Sequence, residues 1–269
     1  MIPTPRRREQ GTATSVDGTS IAWYRYGHGD QANLFVPTWN LVDARVVGHQ
    51  VAMLEPHATV ITYDPRGAGT SGRPAHGYDF PLHAADALAV LDANEIGRAS
   101  LVTASRGLNA AVLLVTDHPR RFGRLVAIAP YMRLESDPAP PNPERLAAWR
   151  TDWPGFIVPF MHAVFTEPDS ADVIAEMIEI GLEASPDVVA TQELELDWTR
   201  PARLLRTVSS RTLVVHGESD KPVPVSLARS IVEAMPNARL ELIPNGGHRP
   251  DIRSPEIVNP LLLEFLVSP

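Results

Sequence analysis

The stretch SLVTASRGLNAAVLLV, residues 100–115, decides the fold. It starts as a short apolar run, turns on small residues around Ser105, and continues into an Ala- and Leu-rich run that is typical of a helix. A strand, a sharp turn and a helix with a serine at the apex would form a nucleophile elbow. However, Thr103 stands where such an elbow normally has glycine, so the stretch alone leaves open whether Ser105 is a nucleophile or an ordinary helix cap.

Short apolar runs alternate with helix-like segments on both sides of this stretch. Strands that are apolar throughout and separated by helices indicate a mostly parallel central sheet with helices on both faces, which is an α/β fold. Asp17-Gly18 lies between two strand-like runs and predicts an N-terminal antiparallel hairpin. The predicted core strands are residues 33–37, 59–64, 100–104, 124–130, 211–217 and 239–244, and the predicted helices are residues 42–54, 81–94, 108–118, 227–235 and 255–266.

The alternation stops between residues 131 and 208. This region opens with the Pro-rich passage ESDPAPPNP, residues 135–143, and continues with helical patterns. Helix-start signals occur at Asp169-Ser170 and at Ser185-Pro186-Asp187. An all-helical insertion between two strands of a parallel sheet is typical of a cap. We therefore expect an α/β core domain of residues 1–130 and 209–269 and a helical cap of residues 131–208.

The composition argues against several classes of function. The 269 residues are 44% hydrophobic and 21% charged, with a formal net charge of −8 and no broad basic face, so we expect no nucleic-acid partner. No apolar run reaches the ~20 residues of a membrane span, and no apolar segment follows the basic run at residues 6–8, so we expect a cytoplasmic protein without a membrane partner. The chain has no cysteine, and no histidine pair lies in a metal-ligand context, so we expect no metal.

Three polar residues follow three different predicted strands. Ser105, Asp220 and His248 occur in this chain order, which is the order expected when the serine sits on a strand-turn-helix elbow. A serine hydroxyl needs a histidine to take its proton, and a buried carboxylate orients that histidine. Because ligands of open α/β sheets bind beyond the carboxyl ends of the strands, these residues predict an acyl-transfer site. The alternative for each residue is structural: a helix or turn cap for Ser105 and Asp220, and a loop histidine for His248.

With these residues the chain resembles the α/β-hydrolase superfamily, in its capped serine esterase and haloperoxidase-like branch. The matching segments are YDPRGAGTSGRP (residues 63–74), LVTASRG (101–107), HGESDKPVP (216–224) and NGGHRP (245–250). The segment PTWNLVDARVVGHQ (37–50) further resembles a bacterial variant that has Pro-Thr-Trp in place of His-Gly in the oxyanion loop. By this resemblance Ser105 is the nucleophile, Asp220 the acid and His248 the base. The resemblance also places the oxyanion-hole donors at the backbone N–H groups of Trp39 and Arg106.

The resemblance implies a cofactor-free serine hydrolase that cleaves a carboxylic ester, lactone or thioester through an acyl-enzyme on Ser105. An acyltransferase, a carbon–carbon bond hydrolase, a lyase or cyclase using the same pocket, and a non-catalytic ligand-binding protein remain alternatives. The aromatic residues of the cap favour a small-molecule substrate with an apolar acyl or alcohol group. The oligomeric state is not predicted. The candidate pocket residues are Trp39, Trp153, Phe156, Phe160 and His162.

The charge beside the candidate nucleophile has two interpretations. Arg106 follows Ser105 directly and places an unusual charge beside the candidate nucleophile. It either pairs with a carboxylate of the protein or recognises an acidic substrate. His216, four residues before Asp220, is expected to support the loop that presents the aspartate.

Overall fold

A central sheet of eight strands organises the described part of the chain. The computed structural model describes residues 1–134 and 141–267. The strand order is β1-β2-β4-β3-β5-β6-β7-β8; β1 pairs with β2, and β2 with β4, in the antiparallel direction, and all other pairs are parallel. The strands are β1 (Glu9–Thr14), β2 (Ser20–Tyr26), β3 (Ala32–Val36), β4 (Thr59–Tyr63), β5 (Ala99–Ala104), β6 (Phe122–Ile128), β7 (Thr212–Gly217) and β8 (Ala238–Ile243).

Helices follow the parallel strands and cover both faces of the sheet. Strands β3, β4 and β7 are buried at every residue, which is the reason that their sequences are mostly apolar without a regular polar alternation. The helices are α1 (Gly48–Leu54), α2 (Phe80–Ala93), α3 (Gly107–Asp117), α4 (Pro143–Thr151), α5 (Trp153–Val164), α6 (Ala171–Leu182), α7 (Pro186–Glu195), α8 (Thr199–Leu204), α9 (Val225–Ala234), α10 (Pro250–Arg253) and α11 (Pro255–Val267), with 3₁₀ turns at Ala44–Val47 and Leu205–Thr207.

Two hydrophobic cores lie on opposite faces of the sheet. One contains the apolar sides of α2, α3 and α9, with Trp198 from the loop before α8. The other contains the apolar sides of α1 and α11. The predicted α/β fold and the N-terminal antiparallel hairpin are thus confirmed, and Gly18 takes the positive φ of 86° that the Asp17-Gly18 turn requires.

Helices α4 to α8 form the insertion between β6 and β7. Both predicted start signals are helix N-caps: Ser170 precedes α6, and the Ser185 side chain accepts a hydrogen bond from the Val188 amide at the start of α7. The helical pattern of residues 144–165 is divided at Asp152, whose carboxylate caps α5 through the Gly155 amide. Residues 135–140 of the Pro-rich passage, at the predicted start of the cap, lie outside the described residues.

The predicted helix of residues 42–54 forms only in part. Asp43 accepts a hydrogen bond from the Arg45 amide and starts a 3₁₀ turn, and the regular α-helix α1 begins at Gly48. An aspartate that bonds the backbone two residues ahead competes with helical hydrogen bonding, which explains the later start. No helix among residues 1–134 and 141–267 combines the length and the apolar character that crossing a membrane requires.

A buried arginine fixes the loop that follows β4. The side chains of Arg66 and Asp86 are fully buried and meet through two hydrogen bonds, of 2.8 Å and 2.6 Å. Arg66 also donates to the Asp17 carboxylate at 2.8 Å and to the Gly77 carbonyl at 2.6 Å. The Arg66 hydrogen bond lowers the pKa of Asp17 to about 2. One guanidinium therefore joins the hairpin, the loop after β4 and helix α2.

Replacement of Arg66 tests this anchor. We expect Arg66→Ala to lower the free energy of unfolding by about 3–5 kcal/mol, because it leaves the buried Asp86 carboxylate without its partner. The matched control is Arg45→Ala, which removes an exposed arginine from its pairs with Asp43 and Glu183 and should cost at most about 1 kcal/mol. Urea unfolding measures both variants, and equal losses would contradict the anchoring role of Arg66.

Candidate active site

The turn between β5 and α3 presents Ser105 in a strained conformation. Ser105 has a φ of 48°, in the left-handed region that residues other than glycine rarely adopt. Its amide donates to the Ile128 carbonyl at 2.8 Å, and its carbonyl accepts from the Tyr131 amide at 3.0 Å. Neighbouring backbone on the β6 side therefore holds the turn in place, and such maintained strain is common at functional sites.

Thr103 fits the turn because the crowding is relieved at Gly107. The Thr103 hydroxyl donates to the Val36 carbonyl of β3 at 2.9 Å, so the side chain that replaces the expected glycine is hydrogen-bonded inside the sheet. A Cβ atom at Gly107 would lie 2.0 Å from the Thr103 hydroxyl oxygen and 2.6 Å from the Pro37 carbonyl oxygen. The elbow therefore tolerates threonine before the serine only because glycine follows it.

Asp220, His248 and Ser105 form a continuous series of polar contacts. His248 follows β8, and its Nδ1 atom lies 2.7 Å from Oδ2 of Asp220, which follows β7. Its Nε2 atom lies 3.1 Å from Oγ of Ser105. If Nδ1 carries the proton and donates to the carboxylate, Nε2 is free to accept the proton of the serine hydroxyl. The structure thus brings together the three residues that the strand ends indicated.

The Asp220 carboxylate is held ionised by several donors. Burial alone would raise its pKa, but contacts with His216 and His248 and a hydrogen bond from the Val223 amide lower the pKa below its ordinary value. His216 is fully buried, and its Nε2 atom lies 3.2 Å from Oδ2 of Asp220 and 3.0 Å from the Val223 carbonyl oxygen. His216 therefore contacts both the carboxylate and the loop that carries it, as the sequence suggested.

The two expected oxyanion donors lie on adjacent segments. Trp39 follows β3, and Arg106 follows Ser105; within the described ranges neither backbone amide donates a hydrogen bond to another group of the chain. The Arg106 guanidinium lies 3.8 Å from the ring centroid of Trp39, so the side chains of the two residues are stacked. Among the described residues, no acceptor therefore occupies either N–H group.

The candidate pocket residues divide into two groups. Phe156 and Phe160 of α5 are partly exposed and meet the Trp39 ring edge-on, with centroids 6.2 Å and 5.8 Å away. Trp153 is buried between helices, and its indole N–H donates to the Gly181 carbonyl of α6 at 3.0 Å. His162 is exposed on α5. Phe156 and Phe160 therefore contact Trp39 directly, whereas the buried Trp153 contacts Phe156, with ring centroids 5.3 Å apart.

Arg106 pairs with a carboxylate that sequence reasoning missed. Its guanidinium contacts Glu193 of α7, and the Glu193 side chain is 1% exposed. The preceding residue, Gln192, donates to the Asn40 side chain at 2.9 Å. Glu193 lies in the run TQELELDW, residues 191–198, where acidic residues alternate with leucines in the manner of a solvated surface. In the sequence, the one sign of this ion pair is the charge of Arg106 beside the candidate nucleophile, which would need a carboxylate partner.

Comparison with known proteins shows the same family across most of the chain. Residues 28–261 match the profile of the Alpha/beta hydrolase family. The RutD protein of Caulobacter sp. (strain K31), which is named as a carbamate hydrolase, is 30% identical over 230 residues, which are 81% of this chain and 84% of that protein.

Solved structures resemble the whole fold. An esterase from Exiguobacterium antarcticum superposes with a TM-score of 0.86 at 21% identity, and the match covers 97% of this chain and 100% of the esterase. Est816, described as an N-acyl homoserine lactone degrading enzyme, superposes with a TM-score of 0.82 at 27% identity and matches 95% of this chain and 100% of its own.

The steric account of the elbow is tested by adding one methyl group. We expect Gly107→Ala to lower the free energy of unfolding by about 1–3 kcal/mol, because the new Cβ atom meets Thr103 and the backbone of Pro37. Gly97→Ala is the matched control, since no atom lies within 4 Å of a Cβ placed there, and it should change stability by no more than about 0.5 kcal/mol. Thermal and urea unfolding compare the two variants, and a neutral Gly107→Ala would refute this account.

Proposed function

Because the chain belongs to the Alpha/beta hydrolase family, we propose that it is a serine hydrolase that cleaves a carboxylic ester, lactone or thioester through an acyl-enzyme on Ser105. The observation that carries this proposal is the series of contacts from Ser105 through His248 to Asp220. The proposed catalytic residues are those three, and the reaction uses no cofactor.

In the proposed mechanism His248 moves one proton in each half of the reaction. Oγ of Ser105 attacks the substrate carbonyl carbon while Nε2 of His248 takes the hydroxyl proton. The tetrahedral intermediate collapses as His248 gives that proton to the leaving oxygen or sulfur, which departs as an alcohol or thiol. Water then attacks the acyl-enzyme, again with His248 as the base, and releases the carboxylic acid and free Ser105. Asp220 keeps the imidazole oriented and stabilises its protonated form.

The negative charge on the carbonyl oxygen needs donors that are already in place. We propose that the backbone N–H groups of Trp39 and Arg106 supply them, as part of a Pro-Thr-Trp oxyanion loop. Main-chain donors depend on the path of the chain rather than on its side chains, so Pro37 and Thr38 need not prevent this role. That neither amide donates to another group in the described part of the chain supports the assignment.

The surroundings favour an uncharged substrate. Arg106 is already paired with Glu193, and the partly exposed Phe156 and Phe160 offer aromatic surface beside the buried Trp39. We propose a small-molecule substrate with an apolar acyl or alcohol group, and a helical cap of residues 131–208 over it. The lactone and ester activities named for the structural relatives agree with this class of substrate.

Carbamate cleavage is the second candidate. The curated relative with 30% identity is named for it, and a carbamate carbonyl can be attacked by the same serine. A panel that contains an aryl ester, an acyl homoserine lactone and an aryl carbamate with a common acyl size ranks the three classes by kcat/KM.

Loss of the serine hydroxyl is the direct test. We expect Ser105→Ala to lower the kcat/KM for an aryl ester by about 10⁴-fold or more, because no acyl-enzyme can form without the nucleophile. The same variant should lose labelling by a fluorophosphonate probe. The control is Ser209→Ala, which changes an exposed serine outside the site and should behave as the wild type. Labelling or hydrolysis that survives in Ser105→Ala would contradict the acyl-enzyme.

A further inference from the structure

Two consecutive residues of helix α7 hold the segments that carry the proposed oxyanion donors. Gln192 donates to Oδ1 of Asn40, the residue after Trp39, at 2.9 Å, and Nδ2 of Asn40 donates to the Arg66 carbonyl at 2.8 Å. Glu193 forms the ion pair with Arg106, the residue after Ser105. One turn of one helix therefore contacts both sides of the proposed hole.

These contacts are largely shielded from water, and the Arg106 side chain is 15% exposed. The side chain of Glu193 is 1% exposed, and the residues Asn40 and Gln192 are 0% and 3% exposed. An arginine that is removed from water beside a carboxylate is costly to leave unpaired, which keeps the Arg106–Glu193 contact closed. Arg106 also stacks on the Trp39 ring, so a displacement of either segment is transmitted to the other.

We propose that Gln192 and Glu193 are positioning residues for the oxyanion hole. Docked α7 holds the Trp39 and Arg106 amides at the separation that the developing oxyanion requires. Donors must sit within a few tenths of an ångström of that position to be effective, and a displacement of 1 Å can reduce the rate about 10²-fold. This inference rests on the proposed serine hydrolase function and adds a role for the insertion in the chemical step.

The competing explanation is that these residues merely attach α7 to the core. Glu195, on the same helix, provides a matched control because its carboxylate also docks α7, accepting from the Gly77 and Tyr78 amides at 2.8 Å and 2.7 Å. It contacts neither Arg106 nor Asn40. Glu195→Gln makes the same carboxylate-to-amide change as Glu193→Gln. It therefore weakens the attachment of α7 but leaves the segments that carry Trp39 and Arg106 unchanged.

The experiment compares steady-state kinetics on one aryl ester with thermal unfolding of each variant. We expect Glu193→Gln and Gln192→Leu to lower kcat by about 10- to 100-fold with KM changed by less than about twofold, the pattern of an interaction made in the transition state. Glu195→Gln should retain kcat within about twofold. The rate of fluorophosphonate labelling at Ser105 should fall in parallel with kcat.

If Glu193→Gln fails to fold, a double variant in which both partners of the ion pair are uncharged keeps the test valid. Arg106→Met combined with Glu193→Leu removes both buried charges, an exchange that is often neutral or stabilising. We expect this double variant to fold but to keep the reduced kcat, because the tie to Arg106 is gone. A wild-type kcat in the double variant, or an equal loss of kcat in Glu195→Gln, would overturn the positioning role. Absence of Ser105-dependent hydrolysis in the wild type would instead overturn the proposed function and this inference with it.

Discussion

The left-handed backbone at Ser105 is the constraint on which the rest of the site depends. A serine with positive φ is unfavourable in isolation, so the surrounding chain must hold it there. Hydrogen bonds to Ile128 and Tyr131 do so from the next strand and the loop after it. Since β7 and β8, which precede Asp220 and His248, follow β5 and β6 in the strand order with all four strands parallel, the three side chains lie at the same edge of the sheet. The geometry of three side chains thus depends on the sheet as a whole.

Much of the core could be predicted from the sequence because burial leaves a direct trace in composition. Strands that are covered on both faces are apolar throughout, and polar residues that follow such strands are conspicuous. This is the reason that Ser105, Asp220 and His248 could be identified before their contacts were known. The fold and the family are confirmed by the sheet topology and the comparisons, whereas the catalytic assignments remain proposals.

Other features could not be predicted because they depend on which surfaces meet. Glu193 is indistinguishable in sequence from the neighbouring acidic residues of α7, and its burial follows only from the docking of that helix on Arg106. Trp153 and Phe156 are both aromatic residues of α5, yet the first packs against α6 and the second against Trp39. The early part of the 42–54 segment forms a 3₁₀ turn because of one local side-chain bond at Asp43. The periodicity of a sequence shows which face of a helix is apolar, but not which element packs against that face. It also does not show where a side chain competes for backbone hydrogen bonds.

The close packing of Thr103 against Gly107 constrains how this sequence can change over time. The two positions share one small volume between β5 and α3, so the residue allowed at one depends on the residue present at the other. A side chain at position 107 would meet both the Thr103 hydroxyl and the backbone carbonyl of Pro37. A search pattern that demands glycine before the serine will therefore overlook a chain such as this one, in which only the glycine after the serine is kept.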